Sequence, residues 1–234
     1  MRTLFVVPAF NEGVVLGGVL DGLVGLGVGE ILVVDDGSSD DTFKVAASKG
    51  VRCVRHFMNL GLGGALATGF EVARREGFDV VVTFDGDGQH SPFDVQKLLA
   101  RLGLGDVDVV IGNRSVYNGG GVVGGGVKKD MPLSKRFGNA ALNWANFFLF
   151  GVSYCDTQSG LRAFNRKAVE LIKVKSSRYA VSSEILLEVK ENGLRLSQVP
   201  VEVIYTGHSI AKGTRVKHGL EIFGDMLVRS LRGK

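Results

Sequence analysis

Residues 80–90 read Val-Val-Val-Thr-Phe-Asp-Gly-Asp-Gly-Gln-His, a short apolar run that leads directly into two carboxylates one residue apart. The apolar run predicts a buried strand, so the acids stand where that strand ends. Asp85 and Asp87 at this spacing, with the amide oxygen of Gln89, form a compact set of oxygen ligands of the kind that a hard divalent cation prefers. We expect such a cation to carry a diphosphate. The alternative is a solvated turn in which Asp occupies positions that also tolerate glycine.

A second acidic pair follows another apolar run, since residues 31–34 lead into Asp35 and Asp36. Apolar runs alternate with helical patterns through the first half of the chain, which indicates a mostly parallel sheet covered by helices on both faces. Ligands of such sheets bind beyond the carboxyl ends of the strands, where both acidic pairs fall. We therefore expect an α/β fold that holds a nucleotide diphosphate at this edge. The alternative for the second pair is a capped helix start at Ser39 and Asp40.

The apolar periodicity predicts the remaining elements. Strands are predicted at 2–8, 30–35, 51–56, 79–85, 107–112 and 195–205. Helices are predicted near 13–26, 39–49, 63–76, 92–102, 133–150, 166–173, 182–192 and 217–231. A polar turn is expected at 156–162, and the glycine-rich stretch 115–131 is typical of a mobile lid because it is too long for a simple connector. We expect one domain over 1–216 and an amphipathic, basic helix over 217–234.

The composition limits the class of protein. A chain of 234 residues with 45% hydrophobic residues suits one sizeable domain. Its two cysteines show neither a disulfide framework nor metal-ligand spacing, which favours a reducing compartment. No uncharged run is continuously apolar over the length that a membrane-spanning helix needs. The net charge of +4 comes entirely from 208–234, where six Lys and Arg face two acids, and suggests an anionic partner such as phosphate, acidic lipid or nucleic acid.

The first predicted strand runs into Pro8-Ala9-Phe10-Asn11-Glu12. Proline is expected to stop the strand ladder here, and Asn11 is expected to cap the next helix. As a binding element, this loop would cradle a ribose and base, with Glu12 accepting hydrogen bonds from sugar hydroxyls. The alternative is an ordinary strand-to-helix turn with a capping acid.

The remaining polar features carry weaker signals. Residues 59–65 open a helix but lack the third glycine of a dinucleotide fingerprint, so they favour close helix packing near the site. Residues 156–164 are dense in polar groups and form either part of the site or a turn with an internal salt bridge. Arg114 directly follows a predicted strand and is the cation best placed to meet phosphate oxygens. The histidines show no zinc-site spacing and are interpreted as incidental: His56, His90, His208 and His218.

Taken in this order, the motifs resemble family 2 glycosyltransferases, and within them the group of dolichyl-phosphate mannose synthase and related polyprenyl-phosphate sugar transferases. The blocks that carry the resemblance are Pro8-x-Phe10-Asn11-Glu12, Val34-Asp35-Asp36-Gly37-Ser38, Asn59-x-Gly61-x-Gly63-Gly64-Ala65, Asp85-x-Asp87-x-Gln89 and Asp156-x-x-Ser159-Gly160-x-Arg162. The resemblance implies a GT-A fold, which is Rossmann-like with a mostly parallel central sheet and helices on both faces. It also implies metal-dependent, inverting transfer of a hexose from a nucleotide diphosphate sugar to a polyprenyl (dolichyl) phosphate, with Mg2+ or Mn2+ as the cofactor.

The resemblance assigns roles to residues at matching motif positions. The residues implied in donor binding are Pro8, Phe10, Glu12, Val34, Asp36, Asp85, Gly86, Asp87 and Lys212. Those implied at the acceptor phosphate are Arg114, Lys135, Arg136, Ser159 and Arg162. The implied metal ligands are Asp85, Asp87 and Gln89, and the implied catalytic residues are Asp87, Arg114 and Asp156. Thr206 stands where mannose synthases carry Arg, so the donor stays open between GDP-mannose and a UDP-hexose.

The resemblance also implies partners and a location. We expect a polyprenyl phosphate at a membrane surface, a small membrane-anchoring subunit, and no nucleic acid. The protein is expected in the cytoplasm, peripheral on the cytoplasmic face of a membrane. Two alternatives stay open. One is transfer to a sugar hydroxyl, for which Asp156 would be the base, and the other is a non-catalytic receiver-like module built on Asp35 and Asp36.

Overall fold

In the computed structural model, the chain is described over residues 1–114, 159–175 and 181–204. Several predictions fall outside these ranges: the glycine-rich stretch 115–131, the helix near 133–150, the C-terminal helix over 217–234, and the site residues Lys135, Arg136, Asp156 and Lys212. These stay predictions.

A seven-stranded sheet forms the centre of the described part of the chain. In chain order the strands are β1 (Thr3–Ala9), β2 (Glu30–Asp35), β3 (Arg52–Arg55), β4 (Val80–Thr83), β5 (Val109–Asn113), β6 (Arg162–Asn165) and β7 (Leu196–Pro200). Their order across the sheet is β3-β2-β1-β4-β6-β5-β7. All neighbours pair in parallel except β6, which runs antiparallel to both β4 and β5.

Helices cover both faces of this sheet. They are α1 (Leu16–Leu26), α2 (Thr42–Ser48), α3 (Gly61–Glu76), α4 (Asp94–Gly103), α5 (Arg166–Leu171) and α6 (Val181–Glu191). Because side chains alternate along a strand, β1 supplies both halves of the core. Leu4 and Val6 pack with α3, α5 and α6, whereas Phe5 and Val7 pack with α1 and α4. The mostly parallel sheet with helices on both faces, predicted from the sequence, is confirmed.

The strand β6 was not predicted, since its first residue fell in an expected polar turn at 156–162. Arg162-Ala163-Phe164-Asn165 is too short to show a period, and both of its ends are polar. It becomes a strand because β4 and β5 bond to it from either side, with Val82 and Val110 both opposite Ala163. Tertiary pairing here overrides a weak local signal.

The end of β1 also differs from its prediction. Pro8 does not stop the ladder, because β1 continues to Ala9 and pairs Pro8 with Val34. The pairing of β1 with β4 stops before this point, so the missing proline N–H costs no strand bond there. Asn11 does not cap α1 either: it adopts a left-handed conformation with φ 54°, which Asn tolerates better than most residues.

Among the described residues, none of the helices is both long enough and apolar enough to cross a membrane.

Candidate active site

The carboxyl edge of the sheet brings the predicted motifs together. β1 lies between β2 and β4, so the loops that follow these three strands adjoin one another. The amide of Asp36 donates to the carbonyl of Ala9 at 2.9 Å, and the amide of Gly86 donates to the carbonyl of Pro8 at 3.3 Å. Three segments that are far apart in sequence therefore form one continuous surface.

The loops after β1 and β2 are joined side by side. The Asn11 amide donates to Ser38 Oγ at 2.9 Å, and Asn11 Oδ1 accepts from the Ser39 amide at 2.9 Å. The Glu12 amide donates to Thr42 Oγ1 at 2.8 Å. These bonds hold the loop from Pro8 to Glu12 in one shape, which suits a preformed binding surface.

Asp87 is oriented by its neighbour Gln89. Oδ1 of Asp87 accepts from the Gln89 amide at 3.0 Å, and Oδ2 accepts from Gln89 Nε2 at 2.7 Å. The Nε2 amide of Gln89 thus faces Asp87, and the side-chain oxygen of Gln89 stays a predicted ligand of the cation. Gly88 between them has φ 73°, a left-handed value that favours glycine.

The two carboxylates after β4 disfavour each other's charged form. Burial, followed by the negative charge of Asp87, raises the pKa of Asp85 to about 7. Glu12 adds to this rise, whereas Arg114 and Arg162 oppose it. The side chain of Asp85 is 29% exposed, so a ligand can reach it. A cation beside these carboxylates would relieve their repulsion and favour the charged form of Asp85.

The described residues include no group of three or more His, Cys, Asp or Glu side chains suited to a metal ion. The predicted protein ligands within these residues are the carboxylates of Asp85 and Asp87 and the side-chain oxygen of Gln89. Further ligands would come from water or from the oxygens of a bound diphosphate, as is common for Mg2+.

Gly160 lies directly against Asp85. A Cβ added at Gly160 would stand 2.0 Å from Asp85 Oδ2, so no other residue fits without moving the carboxylate. The Gly160 carbonyl accepts from Thr83 Oγ1 at 2.7 Å. This contact exists because β6 runs antiparallel beside β4 and delivers the residues before it to the carboxyl edge. No sequence pattern predicts this contact, because residues 162–165 carry no strand signal of their own.

The predicted acceptor-phosphate residues differ in how far they are buried. Arg114 is half-buried and directly follows β5 at the carboxyl edge. Arg162 is only 2% exposed, and its Nε donates to the carbonyl of Ser159 at 2.7 Å. Ser159 is fully buried, and its Oγ has no hydrogen-bond partner among the described residues. Arg162 is therefore placed to balance the charge of Asp85 from within the protein.

Two predicted donor residues are also buried. The side chain of Val34 lies in the apolar core, so only its backbone is available to a ligand. Asp36 accepts from the backbone amides of Leu60 and Gly61, at 2.9 and 2.7 Å, where α3 begins. It also bonds to His56, which the sequence analysis had interpreted as incidental. The signal for His56 was its position, one residue past β3 at the same edge of the sheet.

The chain that leaves β7 passes along the loop carrying Asp85 and Asp87. Val203 forms an antiparallel bridge with His90, and the Ile204 amide donates to the Gln89 carbonyl at 2.9 Å. The Glu202 amide donates to buried Asp94 Oδ2 at 2.7 Å. Lys212 lies eight residues beyond Ile204, outside the described residues.

A cavity of about 570 Å³ lies between α3, β3 and residues 173–174. Its lining is formed by Val54, Ala67, Thr68, Phe70, Glu71, Val72, Arg74, Arg75, Lys173 and Val174. None of the predicted site residues contributes to it. The acid pair and the loops after β1 and β2 lie apart from this cavity, at the carboxyl edge of the sheet.

Comparison with known proteins gives the family of this chain. Residues 4–170 match the family model described as glycosyl transferase family 2. The chain belongs to this family. Family membership removes the non-catalytic receiver-like module from the alternatives, and it makes the protein a glycosyltransferase.

Similar proteins extend the resemblance beyond the residues that the family model matches. An uncharacterized protein of Methanocaldococcus jannaschii is 41% identical, over 97% of this chain and 91% of its own. The UDP-N-acetylglucosamine–dolichyl-phosphate N-acetylglucosaminyltransferase of Methanococcus voltae is 34% identical, over 95% of this chain and 94% of its own.

A solved structure supports the fold of this transferase. It is glucosyl-3-phosphoglycerate synthase from Mycobacterium tuberculosis, in complex with Mn2+, UDP-glucose and phosphoglyceric acid. Its TM-score is 0.74 at 20% identity, over 98% of this chain and 78% of that one. The fold is GT-A, as the sequence motifs implied.

Proposed function

We propose that this glycosyltransferase moves a hexose from a nucleotide diphosphate sugar to a polyprenyl phosphate, with inversion at the anomeric carbon and with a divalent cation. The observation that carries the proposal is the acid pair Asp85 and Asp87, set at the carboxyl edge beside the rigid Pro8–Glu12 loop. The Methanococcus relative adds support, because its name specifies a UDP-sugar donor and a dolichyl-phosphate acceptor.

The proposed cation is Mg2+ or Mn2+, held by the carboxylates of Asp85 and Asp87. The residues present suit it, since burial and mutual repulsion have raised the pKa of Asp85 to about 7 and a positive charge would relieve both effects. The structure of glucosyl-3-phosphoglycerate synthase, which has this fold, was solved with Mn2+, and this supports a divalent cation here. When bound, the ion supplies positive charge that stabilises the departing diphosphate. Gln89 orients Asp87 and stays a predicted ligand of the ion.

The donor is proposed to lie along the loops after β1 and β2. Phe10 is exposed beside Glu12 and offers an apolar surface to a base or ribose. The backbone around Val34 and the carboxylate of Asp36 complete the nucleoside side of the site. The diphosphate then extends towards Asp85, Gly86 and Asp87.

The chemistry requires little proton transfer. The acceptor phosphate is already an anion at pH 7, so its oxygen attacks the anomeric carbon while the bond from that carbon to the donor's β-phosphate oxygen breaks. The chain's task is to align the two and to compensate charge. Arg114 is proposed to meet the acceptor phosphate, with Ser159 and Arg162 supporting that side from the interior. Asp156, Lys135, Arg136 and Lys212 stay predicted contributors.

The acceptor places the reaction at a membrane surface. Three neighbouring apolar side chains after β3 are exposed at the carboxyl edge: Phe57, Met58 and Leu60. Phe57 is 99% exposed. Apolar side chains presented together at an open edge favour contact with an interface, and the net charge of +4 favours an anionic one. We propose a peripheral membrane association; the cytoplasmic face and a membrane-anchoring subunit stay predictions.

The test is an incubation of the purified protein with Mn2+ or Mg2+, a polyprenyl phosphate, and a panel of radiolabelled UDP- and GDP-sugars. We expect label to enter the lipid extract with at least one donor, and none to enter when a chelator is present. Transfer only to added sugars with free hydroxyls would instead favour the hydroxyl-acceptor alternative, and the proposal would be wrong.

A further inference from the structure

One buried carboxylate at the site is held by more donors than a helix start needs. Asp36 Oδ1 accepts from His56 Nδ1 at 2.7 Å and from the Leu60 amide at 2.9 Å. Oδ2 accepts from the Gly61 amide at 2.7 Å. Since a carboxylate oxygen has two acceptor directions, Oδ2 keeps one direction that no donor in 1–114, 159–175 or 181–204 fills.

The ring of His56 is fixed at both nitrogens. Its Nε2 lies 2.9 Å from Thr68 Oγ1, and that hydroxyl donates to the Gly64 carbonyl at 3.1 Å within α3. The His56 amide donates to the carbonyl of Asp35 at 2.8 Å, which ties the end of β3 to the end of β2. The imidazole therefore has one orientation relative to the Asp36 carboxylate.

Helix capping does not account for this arrangement. Asp36 alone already satisfies the amides of Leu60 and Gly61, which are among the donors that a helix start leaves unpaired. Stability does not account for it either, because a buried pair of ionisable groups is often no more stable than the apolar residues that could replace it. The location is informative: the Asp36 amide donates to the Ala9 carbonyl, so Asp36 adjoins the loop proposed to hold the nucleoside.

We propose that His56 is a positioning residue for donor binding. It holds the Asp36 carboxylate so that the remaining acceptor direction of Oδ2 points at one N–H or O–H group of the donor's nucleoside. Thr68 acts through His56, because its hydroxyl holds the imidazole ring in the orientation that bonds to this carboxylate. This inference rests on the proposed function, since it requires a nucleotide donor.

Nucleotide binding tests the inference without requiring turnover. The affinities of UDP and GDP, each with Mn2+, are to be measured by calorimetry for the wild type, His56→Leu and His56→Asn. Leu fills similar space without a donor, whereas Asn keeps an N–H near the position of Nδ1. We expect His56→Leu to bind about tenfold more weakly and His56→Asn to stay within about threefold of the wild type. The affinity for Mn2+ alone should be equal in all three.

A split in the kinetic constants separates positioning from a merely structural role. With the donor identified in the panel, His56→Leu should raise the donor KM about tenfold and leave kcat within about twofold. A structural role would lower kcat by reducing the active fraction and leave KM unchanged. Wild-type nucleotide affinity in a folded His56→Leu, or an equal loss in His56→Asn, would overturn the inference.

Failure of the proposed function and failure of the role of His56 give different results. A wild type that binds neither nucleotide contradicts the proposed function itself, whereas normal wild-type binding with an unaffected His56→Leu contradicts only the role of His56. If His56→Leu does not fold, Thr68→Val decides instead. About threefold weaker nucleotide binding by Thr68→Val supports the inference, and unchanged binding overturns it.

Discussion

At the scale of single residues, the site depends on two close contacts of the acid pair. Both carboxylate oxygens of Asp87 accept hydrogen bonds from Gln89, and the carboxylate of Asp85 packs against Gly160, which has no side chain. Both contacts fix carboxylates that repel each other, and this repulsion is what a cation would relieve. Substitutions here should therefore change ligand binding more than they change stability.

The substitution Asp87→Asn tests the proposed metal ligand. Asn keeps the shape of the side chain and an oxygen for Gln89, but it loses the negative charge. We expect metal-dependent turnover to fall about a hundredfold or more, with Tm within about 3 °C of the wild type. The matched control is Asp21→Asn on α1, which removes an exposed acid paired with Lys49 and should leave turnover unchanged. Turnover by Asp87→Asn at the wild-type rate would contradict the role of Asp87.

The substitution Gly160→Ala tests the contact with Asp85. The new Cβ would overlap Asp85 Oδ2, so either the carboxylate or the backbone before β6 must shift. We expect the affinity for Mn2+ with nucleotide to fall about tenfold or more, measured by calorimetry. Gly103→Ala is the control, because a Cβ there meets nothing within 4 Å. An unchanged affinity in Gly160→Ala would show that Asp85 does not need this position.

At the scale of elements, β6 decides how the second half of the chain reaches the site. Asp108, Asn165 and Arg195 lie at the ends of β5, β6 and β7 and tie these strands together. Asp108 Oδ2 accepts from the Arg195 amide at 2.9 Å, and Oδ1 accepts from Asn165 Nδ2 at 3.0 Å. The hydrogen bonds from Arg195 hold the pKa of Asp108 well below its usual range. The antiparallel strand is thus anchored at the amino edge, opposite the site.

This anchor makes stability depend on pH in a defined direction. Because the pKa of Asp108 is lower in the folded than in the unfolded protein, its contribution is complete above the unfolded value of about 3.9 and is lost as the pH falls below it. We expect Asp108→Asn to lower the free energy of unfolding by about 2 kcal/mol at pH 7, with the difference from wild type shrinking below about pH 4.

Denaturant unfolding at pH 7 and at pH 3 measures this effect. The control is Asp106→Asn, two residues before Asp108, which breaks an exposed pair with Arg101 and should cost much less stability. A destabilisation by Asp108→Asn that stayed constant down to pH 3 would mean that its cause is packing and that charge has no part in it.

The elements show where sequence reasoning succeeds and where it ends. The strands β1, β2, β4 and β5 were predictable because each carries an apolar run, and the longer helices because each carries an apolar stripe that shows its period. The strand β6 was not, because four residues with polar ends become a strand only between two partners. The acid pairs could be found from their positions at strand ends. His56 also follows a strand end and Gly160 stands in a motif, but their contacts with Asp36 and Asp85 join segments far apart in sequence, so no local pattern predicts them.

At the scale of the whole molecule, the carboxyl edge gathers both the acid pair and the exposed apolar side chains after β3. A lipid acceptor would require this edge to face the membrane. The apolar side chains of Phe57 and Met58 would then leave water, and each would contribute to binding in proportion to the area that it buries.

The double substitution Phe57→Ser and Met58→Ser tests that orientation. We expect its binding to vesicles of phosphatidylcholine and phosphatidylglycerol to fall about tenfold or more in a sedimentation assay. Turnover on a short, water-soluble prenyl phosphate should stay the same. The control is Leu104→Ser with Val28→Ser, exposed apolar residues that precede β5 and β2 at the opposite edge. Equal loss of vesicle binding in both variants would contradict a specific role for the loop after β3.

The central claim is that the carboxylates of Asp85 and Asp87 hold a cation that carries the donor's diphosphate. A crystal structure of the protein with Mn2+ and UDP or GDP tests it most directly, because manganese is located by its anomalous scattering. The account predicts one manganese peak bonded both to a carboxylate oxygen of this pair and to the diphosphate. A nucleotide bound with its diphosphate away from both carboxylates, or a metal held without them, would contradict it.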